Sequence, residues 1–234
     1  MPRKQDAAPE NFFGIEDARD LELIAGELSG RRLFELESGP PLREFTRESL
    51  IEVHRHLLQD VYPWAGQIRS TEVGAMGLMM CRAEFVEDEL GRVMRRIQKQ
   101  PPSTADLNMA DATIADHWCE LTIVHPFRDG NSRTQRYFFD QMFRAAGWVV
   151  DWTQVNASHA HAARYVGAAT ADASFLAQLL LPAVYPVDAL PPTGEGSLRK
   201  TQGHRDSNSA EIFQHMMQFR RDHPAAPWEP PTST

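Results

Sequence analysis

The chain has few cysteines, no excess of basic charge and no long apolar run. Cys81 and Cys119 are its two cysteines, and they stand in no Cys-x-x-Cys spacing, so we expect no disulfide framework. Asp and Glu outnumber Lys and Arg by 32 to 24, which removes the general electrostatic attraction to nucleic acid. Neither a signal-peptide pattern nor a membrane-spanning segment is present. We therefore expect a cytoplasmic protein without nucleic-acid or membrane partners, although delivery into a host by a secretion system would leave no such mark.

One stretch of twelve residues, 125–136, concentrates groups that suit a phosphate site: His-Pro-Phe-Arg-Asp-Gly-Asn-Ser-Arg-Thr-Gln-Arg. His125 can change protonation near neutral pH, so it is the candidate general base. Asp129 is a hard oxygen ligand suited to Mg²⁺ held jointly by protein and substrate phosphates. A helical apolar pattern begins just after Gly130, Asn131 and Ser132. These small residues should therefore lie at a helix N-terminus, where unpaired N–H groups favour an anion.

Two arginines extend this site along the helix. Arg133 and Arg136 are three residues apart, so both guanidinium groups should reach one polyphosphate. Taken singly, a histidine before proline is typical of a loop, Gly-Asn of a turn and paired arginines of a solvated face. Their joint occurrence favours a phosphate site, with Phe127 as an apolar anchor of the loop.

The stretch resembles the signature of Fic-domain proteins, His-x-Phe-x-(Asp/Glu)-Gly-Asn-Gly-Arg-x-x-Arg, with Ser132 where Gly is usual. Residues 50–69 resemble the helix of that family that ends in Tyr-x-Trp-Ala-Gly-x-Ile-Arg. The predicted division of the chain is an N-terminal arm at 1–14, a Fic domain at 15–187, and a Pro/Gly-rich linker with a short amphipathic helix at 188–234.

The resemblance implies an all-α fold, a helical bundle with one small β-hairpin called the flap. It implies transfer of AMP from the co-substrate ATP to a Tyr, Ser or Thr hydroxyl of a target protein. His125 would deprotonate the hydroxyl and Asp129 would hold Mg²⁺ between the α- and β-phosphates. Arg133 would pair with the β-phosphate and Arg136 with the γ-phosphate. The other phosphate-binding residues that it implies are Arg128, Gly130, Asn131 and Ser132.

Ser132 is the one departure from the signature. Its backbone N–H is retained, but its Cβ and hydroxyl restrict how closely a phosphate can approach. We expect the chain to retain activity, and we expect any effect of Ser132 to be on the preference for the nucleotide donor.

Residues 71–81 hold two glycines between short apolar runs, which predicts a hairpin at the position of the Fic flap. In the family the flap aligns an extended target segment by strand addition. The flap residues expected to dock the target are Thr71, Glu72, Val73, Gly74 and Met76.

Apolar spacing predicts further helices. The first includes Leu21 and Leu28 and should stop at Gly30, with a connector over 31–45. His54 lies on the apolar stripe of the next helix and is expected to be a hydrogen-bonded core residue. An amphipathic segment at 212–219 should dock on its own domain, with a partner surface as the alternative.

Many Fic proteins carry an inhibitory helix, (Ser/Thr)-x-x-x-Glu-(Gly/Asn), whose Glu pairs with the second arginine of the signature. The two matching endings here, at Glu10 and Glu195, lack Ser or Thr four residues earlier. We therefore expect a separate antitoxin-like chain that pairs with Arg136. In bacterial relatives of this type the targets include DNA gyrase and topoisomerase IV subunits.

Three alternatives compete with AMP transfer. Fic relatives also include kinases with Ala-Asn-Lys in the loop and phosphocholine transferases, but Gly130 favours AMP transfer. A non-catalytic binding module is disfavoured by the intact His125 and Asp129. A P-loop NTPase ranks last, because Gly-x-x-x-x-Gly-Lys-(Ser/Thr) does not occur.

Overall fold

Helices dominate the computed structural model, which describes residues 7–189 and 209–222. Several helices begin at a short polar residue whose side chain accepts a backbone N–H of the first turn, as Asp17, Thr46, Asp106 and Asn156 do. The α-helices of the described residues are α1 Ala18–Ser38, α2 Arg47–Leu58, α3 Val86–Lys99, α4 Leu107–Val124, α5 Asn131–Ala145, α6 Ala157–Thr170, α7 Ser174–Leu180 and α8 Ser209–Asp222.

Two short antiparallel ribbons accompany the helices. Strands β1 (Gly74–Ala75) and β2 (Leu78–Met79) pair across a turn in which Met76 and Gly77 both have positive φ, as a tight hairpin requires. The predicted flap is thus a hairpin, and the all-α prediction is confirmed. A second ribbon, β3 (Trp148–Val150) with β4 (Val184–Pro186), was not predicted.

The core lies around α4 and α5, which carry the 125–136 loop between them. Helix α4 packs against α3, α5, α6 and α7, so most of its side chains are buried. Trp118 of α4 stacks on Phe139 of α5 with ring centroids 5.1 Å apart. Phe138 and Phe143 are also fully buried, and each such side chain stabilises the fold by about 1.5–3 kcal/mol. The loop is therefore held between two helices whose facing side chains are buried.

Helix α1 does not stop at Gly30, as the sequence predicted, but continues to Ser38. Its second half is held by tertiary contacts, since Leu33 and Leu36 pack against a buried cluster to which α1, α2 and α5 contribute, and the Arg32 Nε lies 2.6 Å from an Asp60 carboxylate oxygen. A helical glycine costs about 1 kcal/mol relative to alanine, and these contacts outweigh it.

The two ends of the described chain also pack on the body. Ile212 and Met216 of α8 are buried, and α8 lies along α6, so the prediction that this segment docks on its own domain is confirmed. Near the start, the Phe12 N–H donates to the Val61 carbonyl at 3.0 Å. Of the predicted linker and helix at 188–234, residues 190–208, which include Glu195, and 223–234 lie outside the described residues, as do residues 1–6 of the predicted arm. None of the described helices is both long and apolar enough to span a membrane.

Candidate active site

The 125–136 stretch forms a tight loop between α4 and α5. His125 ends α4 and Gly130 precedes α5, and both have left-handed backbone conformations, with φ of 47° and 73°. Asn131 closes the loop, because its side chain accepts the Phe127 N–H at 3.0 Å and donates to the Phe127 carbonyl at 2.8 Å. Left-handed backbone in a non-glycine residue is uncommon and concentrates at functional sites. The conformation of the loop therefore fixes the position of the His125 backbone, from which its side chain extends.

His125 is buried, with 8% of its surface exposed. Its Nδ1 lies 3.3 Å from the Thr122 carbonyl, an acceptor, so we assign the ring proton to Nδ1 and the lone pair to Nε2. Burial lowers the pKa of His125 to about 4, and the positive charge of Arg164 acts in the same direction. His125 is therefore neutral at physiological pH, as a general base must be.

Asp129 faces two donors. The Tyr62 hydroxyl donates to Oδ2, and the Gly130 N–H donates to Oδ1 at 2.6 Å. Burial and the Asp129 charge raise the pKa of Tyr62, so the phenol stays protonated and remains a donor. No group of three or more His, Cys, Asp or Glu side chains that could hold a metal occurs in the described chain. A single carboxylate such as that of Asp129 is a suitable protein ligand for Mg²⁺ held jointly with substrate phosphates.

His54 of α2 supports the loop through a hydrogen bond and a ring contact. The Gly66 N–H donates to His54 Nδ1 at 2.8 Å, so Nε2 carries the proton and donates to the Asp129 carbonyl at 3.0 Å. Its ring stacks on Phe127, with centroids 3.7 Å apart. Burial lowers the pKa of His54 to about 4. The predictions of a hydrogen-bonded core histidine and of Phe127 as an anchor are both confirmed.

Gly130 is required for space as well as for backbone conformation. A Cβ at this position would lie 2.2 Å from Leu58 Cδ1. Real Cβ atoms do not approach another carbon so closely, so any other residue would have to displace either the loop or Leu58.

Arg69 connects the flap to the loop, a role that the sequence did not reveal. Its buried guanidinium donates to the carbonyls of His125 at 2.6 Å, Thr71 at 2.7 Å, Cys81 at 2.5 Å and Val124 at 3.1 Å. The available signal was its place as the last residue of the segment 50–69, two residues before the flap begins. Both ends of the flap are thus tied to the catalytic loop through one side chain.

The predicted flap residues lie at the base, on the first strand and in the turn of the hairpin. Glu72 accepts the Ala83 N–H at 3.1 Å, and the Val73 carbonyl accepts the Met80 N–H at the same distance. Gly74 is exposed and Met76 is half-buried in the turn. Met79, on the second strand, is 69% exposed. The structure gives these residues a common location, while docking of a target on them stays a prediction.

The three arginines predicted to bind phosphate have different neighbours. Arg133 is buried and forms an ion pair with Glu22 of α1. Arg136 is half-buried, with its guanidinium 5.5 Å from the centre of the Trp152 ring. Arg128 is exposed and lies 5.1 Å over the Trp64 ring. A carboxylate of the same chain therefore already contacts the first arginine of the helix, a contact that sequence patterns did not indicate.

The Ser132 hydroxyl is held by α6. Arg164 Nη2 donates to Ser132 Oγ at 2.9 Å, and His161 Nε2 lies 3.1 Å from the same oxygen. Neither α6 residue belongs to a recognisable motif, so no sequence pattern predicted that they lie at the site.

Comparison with known proteins agrees with this geometry. The sequence pattern of the Fic/DOC family matches residues 44–143. The probable protein adenylyltransferase Fic of Salmonella typhimurium is 31% identical over 144 residues, which cover 61% of this chain and 70% of that protein. The protein adenylyltransferase VbhT of Bartonella schoenbuchensis is 30% identical over 146 residues, covering 62% of this chain and 30% of that protein.

Solved structures show the same fold. BepC of Bartonella tribocorum, crystallised with AMPPNP, has a TM-score of 0.69 at 21% identity and covers 79% of this chain and 95% of its own. The N-terminal Fic domain of a cell filamentation protein from Bartonella quintana, with bound ADP, has a TM-score of 0.70 at 22% identity, covering 78% and 93%. With the signature loop, the flap and these relatives, the chain belongs to the Fic/DOC family.

Proposed function

We propose that the chain is a protein adenylyltransferase that moves AMP from ATP to a Tyr, Ser or Thr hydroxyl of a target protein. The observation that carries this proposal is the neutral, buried His125, whose Nε2 lone pair is available beside the Asp129 carboxylate and the start of α5. The relatives from Salmonella typhimurium and Bartonella schoenbuchensis bear the name of this activity. The fold neighbours with AMPPNP and ADP support a nucleotide as the donor.

In the proposed reaction His125 Nε2 takes the proton of the target hydroxyl. The hydroxyl oxygen then forms a bond to the α-phosphorus, and the bond from that phosphorus to the oxygen bridging to the β-phosphate breaks. Pyrophosphate leaves with the bond electrons. A positioned general base contributes about 10²–10⁴ in rate. Because Nδ1 is fixed on the Thr122 carbonyl, the ring keeps Nε2 oriented for this transfer.

The polyphosphate would lie against the first turn of α5. Gly130 allows close approach, and the backbone N–H groups of Asn131 and Ser132 stand at the positive end of the helix dipole. The Asn131 side chain is already bonded to Phe127, so we assign it to loop shape and only its backbone to phosphate binding. Each preorganised donor of this kind is worth about 10²–10³ in rate.

The charged groups complete the proposed site. Arg128, Arg133 and Arg136 would contact the phosphates, and a β-phosphate at Arg133 would compete with Glu22 for the same guanidinium. Asp129 would hold Mg²⁺, which when bound would supply positive charge that offsets the charge of the phosphates.

The flap would align the target. An extended target segment would add to the edge of the hairpin formed by β1 and β2, near the residues Thr71, Glu72, Val73, Gly74 and Met76. Arg69 fixes this hairpin to the His125 carbonyl, so a hydroxyl positioned by the flap is also positioned relative to the base.

We further propose that the chain is the toxin of a toxin–antitoxin pair acting in the cytoplasm on DNA gyrase or topoisomerase IV subunits. A separate small chain would inhibit it by placing a carboxylate on Arg136, whose pKa burial lowers and which would therefore gain from an anionic partner. The chain purified alone should label these subunits. An isolated chain that transfers no AMP would contradict inhibition in trans.

The central proposal is tested with ATP labelled on either the α- or the γ-phosphate, with Mg²⁺ and a bacterial lysate. We expect protein labelling from the α-position only, and its loss in His125→Ala. His56→Ala is the matched control, because His56 lies outside the loop and contacts Glu35. Label arriving only from the γ-position would refute AMP transfer. No transfer by the wild type, indistinguishable from His125→Ala, would favour a binding module.

A further inference from the structure

Arg164 of α6 carries a positive charge into the protein interior. Only 4% of its surface is exposed. Nη2 donates to Ser132 Oγ at 2.9 Å and Nη1 to Gln135 Oε1 at 3.3 Å, while the guanidinium lies 5.7 Å from the Trp118 ring centre and 5.5 Å from that of Tyr165. All of these partners are neutral.

Within residues 7–189 and 209–222, no Asp or Glu forms an ion pair with Arg164, and its Nε has no hydrogen-bond acceptor. A buried charge without an opposite charge costs several kcal/mol, and a cation–π contact returns only about 0.5–2 kcal/mol. A buried arginine guanidinium in a protein is normally paired with an anion. The balancing charge of Arg164 is therefore expected from a ligand.

The location of Arg164 indicates which ligand. Its Nη2 reaches Ser132 in the first turn of α5, where the helix dipole is positive, so two positive groups adjoin. Its charge also acts on His125 strongly enough to be the second cause of the lowered pKa of that ring. An anion at the start of α5 would lie within electrostatic reach of both.

The Ser132 hydroxyl connects Arg164 to the first turn of α5. Arg164 donates to Ser132 Oγ, so the hydroxyl proton is directed to the other neighbour, His161 Nε2. The hydroxyl therefore forms its hydrogen bonds with protein groups rather than with a phosphate. The residue that replaces the usual glycine of the signature ties the anion-binding turn to a buried cation.

We propose that Arg164 is a positioning residue of the nucleotide site, balanced by the bound polyphosphate and holding Ser132 so that the first turn of α5 presents its N–H groups. This inference rests on the proposed use of ATP as donor. It adds to the signature arginines a cation supplied by α6, and it gives Ser132 a partner that a glycine could not engage.

The test compares affinities of the full chain for ATP and for adenosine by titration calorimetry. Arg164→Met should weaken ATP binding by at least tenfold and leave adenosine binding unchanged, because adenosine carries no phosphate. Arg164→Lys, which keeps the charge, should recover most of the ATP affinity. Arg96→Met is the control, since Arg96 already pairs with Asp116 and Glu120 on α4 and should not affect either ligand.

Unchanged ATP affinity in Arg164→Met, or an equal loss for ATP and adenosine, would overturn the inference. If Arg164→Met does not fold, Ser132→Ala decides the question: we expect ATP affinity to fall several-fold with adenosine unaffected, and unaltered ATP binding would be the refuting result. Because binding alone is measured, a wild type that binds ATP in an Arg164-dependent way but transfers no AMP would refute only the proposed function. A variant lacking Arg164 that transfers AMP with normal ATP affinity would refute only this inference.

Discussion

Replacing Gly130 by alanine would disturb the loop in two separable ways. The residue has a φ of +73°, and left-handed backbone costs an L-residue about 1–2 kcal/mol. The new Cβ would also lie 2.2 Å from Leu58 Cδ1, and overpacking in a dense core costs about 1–3 kcal/mol. We therefore expect Gly130→Ala to lower the free energy of unfolding by about 2–5 kcal/mol. For a domain of this size that corresponds to a fall in Tm of roughly 4–20 °C.

Gly147→Ala is the matched control. Gly147 has a φ of +88°, but no atom lies within 4 Å of its hypothetical Cβ, so this variant carries the backbone cost alone. Its Tm should fall by roughly 2–8 °C, from about 1–2 kcal/mol. The difference between the two variants measures the contact with Leu58. Only Gly130→Ala should also lower kcat/KM for AMP transfer, by about 10² or more, because ~1 Å of misplacement in a reacting geometry has that effect.

Calorimetric melting and urea unfolding of both variants provide the measurement. Leu58→Ala combined with Gly130→Ala should show a favourable coupling energy of about 1–3 kcal/mol, since the clash disappears when Leu58 is truncated. Equal losses of stability in Gly130→Ala and Gly147→Ala, or additive effects in the double variant, would refute the steric argument.

Three further predictions concern charged groups. Glu22→Gln removes the carboxylate on Arg133, so ATP should bind several-fold more tightly by calorimetry while the ligand-free Tm falls; weaker ATP binding would contradict the proposed competition. Burial raises the pKa of Asp111 from 3.8 to about 7, so the folded chain binds more protons than the unfolded one between these values and stability falls as pH rises across them, by a few kcal/mol in all. Asp111→Asn should abolish that slope in urea unfolding at pH 5 and pH 8, and an unchanged slope would rule it out. Because burial and Arg164 lower the pKa of His125 to about 4, the acid limb of kcat/KM should lie well below pH 6.5 and move upward in Arg164→Met; a limb at 6.5 in the wild type would disprove the assignment.

The loop could be predicted because its functional residues lie close together in the sequence. His125, Asp129 and Gly130 follow one another within a few residues, and their types restrict what the segment can do. The rest of the site comes from distant elements: Tyr62 follows α2, Glu22 lies on α1, and neither residue type marks a function alone. Their roles arise from packing, which no local pattern records.

The fold shows the same division. Periodicity located the helices, but it ended α1 at Gly30, because propensity does not include the Arg32 ion pair with Asp60 that holds the second half. The ribbon of β3 and β4 was not predicted from the sequence for a related reason. Trp148–Val150 is too short to show alternation, and it becomes a strand only by pairing with Val184–Pro186 much later in the chain.

Arg69 has a consequence for how the protein folds. Its guanidinium satisfies carbonyl groups of His125 and Val124 at the end of α4 and of Thr71 and Cys81 at the two ends of the flap. None of these segments can leave its place without leaving a buried donor unsatisfied, at a cost of about 1–3 kcal/mol. The flap base and the catalytic loop should therefore open and close as a single cooperative unit in hydrogen exchange, with matching protection of their backbone amides.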